Sequence, residues 1–511
     1  MILLSLLGLA AGLCLNRFGV DVEPDSAVMI AAGLRCAHGE GVSIPNMVGA
    51  AKPMTWFPPM ISWGVAGCEW AGLNYRQLFG VFNAVAWGLL IGWVGWLARR
   101  TAGNNALAGL FAAGVLVTSS AMCAVCGMLY SEPPFWLWMT GALAALGCWW
   151  ERPLWRWAAL AGVCVGGALL TRYVGLTLVA LGGLAMLVRP GQKWGRRLAA
   201  SALFGILSAG PMFAWHFWQT KMRHGDGART LAWHPIPQKL MEEGIATFAS
   251  FIVPAQYADS VFGSRAIFGL ACLLVCGALF WLARRGGGTL RDRLAAVPGL
   301  VKVCTVFVGI YLSFLVVSIS IADADTPLDG RILSILIPPG ALLASYLCAV
   351  TVWEHGNRWA RQGVTAVLGG LLLLQGMAAA RLVLDRQGVL WGAGATSPLL
   401  DALGAIPSDA VIYSNDPYAI YMAVRRKTET LPFALPSGPP TPREREDFRA
   451  QMEEMRAALA GKGGWVVYWN ALRFLDPVID QDELKTAVRV VEARASEDGT
   501  LLRVAPGTPQ P

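Results

Sequence analysis

Residues Val301 to Ile321 read VKVCTVFVGIYLSFLVVSISI, with one charged side chain, Lys302, beside the start. At 1.5 Å per residue a helix of this length reaches roughly 30 Å, the thickness of a bilayer's hydrocarbon core. Comparable runs recur at Met1–Leu15, Leu78–Ala98, Ala106–Leu129, Pro134–Trp149, Trp157–Leu170, Val174–Val188, Leu198–Trp218, Ala266–Leu282, Ile332–Val352 and Val364–Leu382. Together they predict a polytopic α-helical membrane protein of about eleven spans. Composition agrees, since 55% of the 511 residues are hydrophobic and 14% are charged, where soluble domains carry about a quarter charged. A soluble enzyme, a disordered chain and a secreted disulfide scaffold are all excluded. The Met1–Leu15 run lacks a basic leader and a small-x-small cleavage pattern, so it reads as a retained first span.

The net charge of +8 does not point to nucleic acid, because the basic residues cluster in short segments between apolar runs. With the N-terminus cytoplasmic, the short loops 99–104, 150–156, 189–197, 284–302 and 353–361 hold fifteen Lys and Arg. The opposite loops, 21–77, 129–133, 171–173, 219–264 and 323–331, hold nine over more than twice the length. The positive-inside rule therefore places the 21–77 loop, the 219–264 loop and the tail outside the cytoplasm, and the expected location is the plasma (inner) membrane. Nine of eleven cysteines lie in apolar runs, and Cys123-x-x-Cys126 reads as packing. Cys36 and Cys68 share a polar loop and could pair in an oxidising compartment.

Composition divides the chain into a membrane domain, 1–384, and a soluble tail, 385–511. In the tail, Ala410–Tyr413, Trp465–Trp469, Val488–Val491 and Leu501–Val504 read as strands. Thr441-Pro442-Arg443-Glu444 is a capping box opening an amphipathic helix to about Ala460. A small C-terminal α/β extracytoplasmic domain follows. There is no Walker loop and no Gly-x-Gly-x-x-Gly before a helix, so nothing suggests ATP hydrolysis.

Chemistry-bearing residues gather on the predicted outer side. The first loop brings Asp21, Glu23 and Asp25 within five residues. A carboxylate placed there could take a proton from an acceptor hydroxyl, and the cluster could hold a divalent metal through oxygen ligands. Asp25 could equally be the N-cap of the helix-compatible stretch after it. Four polar motifs mark span ends: Tyr130-Ser131-Glu132-Pro133, Thr171-Arg172-Tyr173, Gly225-Asp226-Gly227-Ala228-Arg229 and Asp329-Gly330-Arg331. Arg172, Arg229 and Arg331 could together bind a phosphate, whose oxygens match the guanidinium fork. Alternatively each arginine snorkels to headgroups or pairs with a local carboxylate. The five histidines fit no zinc motif; His234 could join Glu132 on a metal.

Taken in order, Pro24-Asp25-Ser26-Ala27-Val28 with Gly39-x-Gly41, Phe57-Pro58-Pro59, Ser131-Glu132-Pro133, Thr171-Arg172-Tyr173, Gly227-Ala228-Arg229 and Asp329-Gly330-Arg331 with Pro338-Pro339 resemble the GT-C superfamily of membrane glycosyltransferases. The nearest likeness is to bacterial relatives of its family-39 group, which holds protein O-mannosyltransferases and lipid A aminoarabinose transferases. The resemblance covers about residues 1–350 and rests on the order of the motifs. It implies a multi-span enzyme that moves a sugar from a polyprenyl-phosphate donor to a lipid, polysaccharide or protein acceptor outside the cytoplasm, with no cofactor certain. It assigns the acceptor-side carboxylate to Asp25. The family's second acid and its tyrosine fall here on Ser26 and Met29, so Asp21 and Glu23 remain candidates. Glu132, Arg172, Arg229, Asp329 and Arg331 become the expected substrate-binding set. A flippase for lipid-linked saccharides is the rival, opposed by the gathering of polar groups on one face and the absence of inverted repeats.

Overall fold

The computed structural model describes residues 1–44, 52–222, 233–258, 261–285, 292, 295–321, 326–385, 398–434, 442–470 and 478–507. The chain divides into two compact units. One comprises Met1–Val20, Arg76–Lys221 and Asp226–Gly388, and the other Asp21–Tyr75, Met222–Gly225 and Val389–Pro511.

The first unit is helical. Among the described residues, Tyr75–Thr101, Trp194–Trp218, Gly299–Ile321, Gly330–Trp353 and Arg358–Asp385 are long and apolar enough to cross a membrane. Ile2–Leu15, Trp155–Thr171, Tyr173–Val188 and Gly263–Ala278 are shorter apolar helices. A sixth candidate span is bent. The run expected to continue from Ala106 to Leu129 breaks at Ser119 into Ala106–Thr118 and Ser120–Cys126, which meet at 54°. Ser119 is extended there, and its hydroxyl accepts the Met122 N–H at 3.2 Å, so a new helix start is capped inside the apolar run.

The buried interior of this unit holds Trp87, Trp136, Trp149, Phe204, Phe307 and Tyr311. In lipid, helices associate by close van der Waals packing, so small residues mark the contacts. A Cβ on Gly147 would lie 2.9 Å from Leu300 Cα, and that proximity seats Gly299–Ile321 against the Glu132–Glu151 helix.

The second unit contains a five-stranded sheet in the order 429–430, 411–414, 464–469, 499–504, 490–495. The first three strands run parallel; the last two pair antiparallel. Alternation along the strands feeds two cores. Tyr413, Val466 and Leu502 face Met452, Met455 and Leu459 of the Pro442–Lys462 helix. Ile412, Val467 and Leu501 face Leu399 and Leu403 of Pro398–Gly404 and Ile420 of Pro417–Val424. The box residue Thr441 lies outside the described residues.

The first polar loop packs into this unit through two helices, Pro24–Ala37 and Met60–Trp70. Their contact is tight, because a Cβ on Gly33 would stand 2.5 Å from the Ser62 carbonyl oxygen. Ser62 Oγ donates to the Met29 carbonyl at 2.9 Å, and Trp70 Nε1 to the Ala37 carbonyl at 2.8 Å. Cys36 and Cys68, considered as a disulfide from sequence, are free thiols.

Candidate active site

In the membrane unit the site begins where the bent helix ends. The last turn of Ser120–Cys126 leaves carbonyl groups without helical donors, and two buried asparagines supply them. Asn83 Nδ2 donates to the Cys126 and Met128 carbonyls at 3.0 and 2.9 Å. Asn16 Nδ2 donates to the Cys126 carbonyl at 3.1 Å. These bonds fix the short connection that carries Tyr130, Ser131 and Glu132.

Glu132 opens the Glu132–Glu151 helix and is followed by Pro133 and Pro134, which fit a first turn because their missing N–H groups would be unsatisfied there anyway. Its carboxylate is fully buried. A charge in that position requires partners, and two guanidinium groups provide them. Arg172 Nη1 and Arg331 Nε both reach Glu132 Oε1, the latter at 2.9 Å. Arg172 is extended immediately after the Trp155–Thr171 helix, and its Nη1 also donates to Ser131 Oγ at 3.0 Å. Arg331 belongs to a single turn, Gly330–Leu333, and its Cζ lies 4.6 Å from the Tyr130 ring centroid. Tyr311 Oη donates to the Ile332 carbonyl at 2.7 Å and so pins that turn to the Gly299–Ile321 helix.

Glu132 Oε1 thus faces two guanidinium groups. The carboxylate is closed to solvent, whereas the Arg172 and Arg331 side chains remain 14% and 23% exposed. An anion arriving from the open side would meet donor groups already oriented by Glu132.

The structure thus brings Glu132, Arg172 and Arg331 together. The two arginines do pair with a carboxylate, but with one 40 and 199 residues away rather than the local partner considered from sequence. Asp329 stands at the start of the turn that carries Arg331, where its Oδ1 accepts the Ile332 N–H at 2.9 Å and caps that turn. Arg229 lies outside the described residues. Asn16, Asn83 and Tyr311 escaped the sequence reading; a polar side chain inside an apolar run is the signal that each offered.

In the second unit, Asp21, Glu23 and Asp25 surround the start of the Pro24–Ala37 helix. The cap position is held by Glu23 and Asp25 lies in the first turn, so the reading of Asp25 as the N-cap is corrected. A carboxylate there complements the helix dipole. Among the described residues no three His, Cys, Asp or Glu side chains assemble as a metal site, so the acidic trio does not converge as a ligand set. Neither does His234 join Glu132 in one; its backbone N–H donates to the Ser320 carbonyl at 2.7 Å.

From Ser26 to Arg35 this helix is buried. Arg35 Nη2 lies 2.7 Å from Glu40 Oε2, Nε donates to Ser43 Oγ at 2.9 Å, and Cζ stands 6.0 Å from the Tyr421 ring centroid. Burial lowers the Arg35 pKa, opposed by Glu40. Lys427 and Arg425, just after the Pro417–Val424 helix, reach Glu40 at 3.0 Å and Glu69 at 3.7 Å. The acidic helix is therefore tied to the tail sheet by ion pairs on both of its neighbours.

No family model matches the chain, and no curated protein matches it. Solved structures do. ArnT from Cupriavidus metallidurans bound to undecaprenyl phosphate is 16% identical with a TM-score of 0.57, over 98% of this chain and 97% of that one. The same protein in its apo state is 15% identical with the same TM-score and coverage. Arabinofuranosyltransferase AftD from Mycobacteria is 12% identical with a TM-score of 0.55; the match covers 99% of this chain and 41% of AftD. The chain shares the fold of these solved proteins, in line with the resemblance drawn from the order of the motifs.

Proposed function

We propose that this protein is an integral membrane glycosyltransferase that moves a sugar from a polyprenyl-phosphate donor to an envelope acceptor on the extracytoplasmic face of the inner membrane. In this reading the membrane part, 1–384, crosses the bilayer about eleven times, and the tail, 385–511, stands outside the cytoplasm. The observation that carries it is the buried Glu132 carboxylate holding Arg172 and Arg331 partly open at the ends of membrane helices. That arrangement suits a lipid phosphate, which must stay at the interface while its chain remains in hydrocarbon. ArnT, with the same fold, was solved with such a lipid.

The proposed chemistry is a single displacement. A carboxylate of the first loop, assigned to Asp25 with Asp21 and Glu23 as alternates, accepts the acceptor hydroxyl's proton. The freed oxygen lone pair forms a bond to the anomeric carbon from the side opposite the phosphate. The anomeric C–O bond breaks, and its electron pair leaves with the polyprenyl phosphate. Arg172 and Arg331, with Arg229 as a third cation, stabilise the charge growing on that phosphate. Configuration at the anomeric carbon inverts. Glu132 does not touch the reacting atoms in this scheme; it positions the two arginines.

The test is turnover of a radiolabelled polyprenyl-phosphate sugar by purified wild type and by Asp25→Asn. The reading expects transfer by the first, none by the second, and equal expression of both. An active Asp25→Asn moves the base to Asp21 or Glu23. Donor that crosses a proteoliposome bilayer intact, with no transfer in any fraction, assigns the protein to flipping instead.

A further inference from the structure

The far end of the Glu132–Glu151 helix carries a second charged site. Its 20 residues rise about 28 Å, so Glu132 and Glu151 stand at opposite ends of one helix. At the Glu151 end two loops are laced together. Arg189 Nε donates to the Trp150 carbonyl at 2.8 Å and its Nη2 to the Glu151 carbonyl at 3.2 Å. Arg196 Nη2 donates to the Pro153 carbonyl at 2.9 Å. The exposed carbonyls of one helix end are thus satisfied by the other loop's arginines, which forces like charges together. Burial and the neighbouring Arg196 both lower the Arg189 pKa.

The laced loops, 150–156 and 189–197, contain six cationic residues and one carboxylate. That carboxylate, Glu151, is engaged elsewhere, because its Oε1 accepts the Gly299 N–H at 3.3 Å. Arg152 and Arg156 on one loop and Lys193 and Arg196 on the other are exposed. Exposed indoles flank them: Arg196 Cζ stands 6.0 Å from the Trp155 ring centroid and Arg197 Cζ 5.8 Å from that of Trp194. Leu154 and Leu198 are exposed beside those indoles. Cations, indoles and aliphatic side chains on one surface match a lipid headgroup above its acyl chains.

We propose that this surface is a binding site for an anionic phospholipid bearing two phosphates, of the cardiolipin type, with Arg152 and Arg156 taking one phosphate and Lys193 and Arg196 the other. Two exposed cation pairs, one on each loop, can engage the two phosphates of one headgroup. The site is independent of sugar transfer and lies at the other end of the helix from Glu132.

The test uses the full chain in mixed micelles titrated with cardiolipin, phosphatidylglycerol, phosphatidylcholine or inorganic phosphate, read by native mass spectrometry and thermal stability. Cardiolipin is expected to bind saturably, at least about tenfold tighter than phosphatidylglycerol, and to raise the melting temperature. R152Q/R156Q/K193Q, which removes no hydrogen bond between the loops, is expected to lose that binding and to melt like wild type without lipid; R152K/R156K/K193R keeps it. Equal affinity for phosphatidylglycerol, saturation by inorganic phosphate alone, or unchanged cardiolipin binding by the glutamine variant each overturns the proposal.

Discussion

Replacing Glu132 with glutamine probes the membrane cluster most sharply. The substitution keeps size and shape and removes the only charge that Arg172 and Arg331 share at Oε1. Breaking a fully buried pair by deleting one partner costs about 3–5 kcal/mol. Here the carboxylate is fully buried, but the arginines keep 14% and 23% exposure and can hydrate once released. A loss of about 2–3 kcal/mol is therefore expected, since water recovers part of the penalty. The amide still accepts one guanidinium hydrogen bond, so the fold survives. The assay is chemical unfolding in micelles, followed by tryptophan fluorescence, with and without polyprenyl phosphate. The lipid should restore more stability to Glu132→Gln than to wild type, because its phosphate replaces the missing anion. Transfer should nevertheless fall about 100-fold as the arginines lose their fixed geometry. A variant with wild-type stability and wild-type activity would refute the view that Glu132 organises the site.

Arg172→Lys retains a charge but cannot serve Ser131 and Glu132 from one planar fork; donor KM should rise about tenfold, with overall stability nearly unchanged. Arg35→Ala leaves Glu40 without its closest partner and frees the Pro24–Ala37 helix from Tyr421; amide exchange over residues 24–37 should accelerate about 10- to 100-fold while exchange over the Glu132–Glu151 helix stays constant. The pH dependence of the second unit is set in part by Asp416, whose carboxyl is pushed up to about 7 from 3.8 by burial, against the lowering effect of the Ala419 and Tyr418 N–H groups. Because the folded state then holds a proton that the unfolded state has released, this group's contribution is fully present below about pH 4 and is lost as pH rises through 7. Slower exchange of the 411–414 strand amides is expected at pH 5 than at pH 8 after correction for intrinsic rates, and Asp416→Asn should flatten the difference.

Much of the membrane unit is legible in residues such as Val301–Ile321, where hydropathy alone selects a helix. The break at Ser119 is not, because a serine within an apolar run reads as tolerated until its hydroxyl is seen capping Met122. For the site, motif position identified Glu132, Arg172 and Arg331 as span-end polar groups. Their mutual pairing was beyond reach, since periodicity carries no information on contacts 40 and 199 residues apart. Asp329 shows the converse: its role as the cap of the Gly330–Leu333 turn was not read from its place before Gly330-Arg331. In the tail, runs rich in Val, Tyr and Trp mark the strands at 411–414, 464–469 and 499–504, whereas the run at 488–491 catches only the start of the Val490–Ala495 strand. The two-residue edge strand Glu429–Thr430 was too short to register, and the ion pairs from Lys427 and Arg425 to the first loop depend on tertiary packing alone.

The central claim is that a sugar leaves its lipid phosphate on this protein. Its most direct measurement is the product balance of purified protein given a donor labelled in both sugar and lipid, with an envelope extract as acceptor. The account predicts that each sugar appearing on the acceptor is matched by one polyprenyl phosphate released, and that Arg331→Ala suppresses both together. Doubly labelled donor recovered intact, with no sugar on any acceptor, would contradict it.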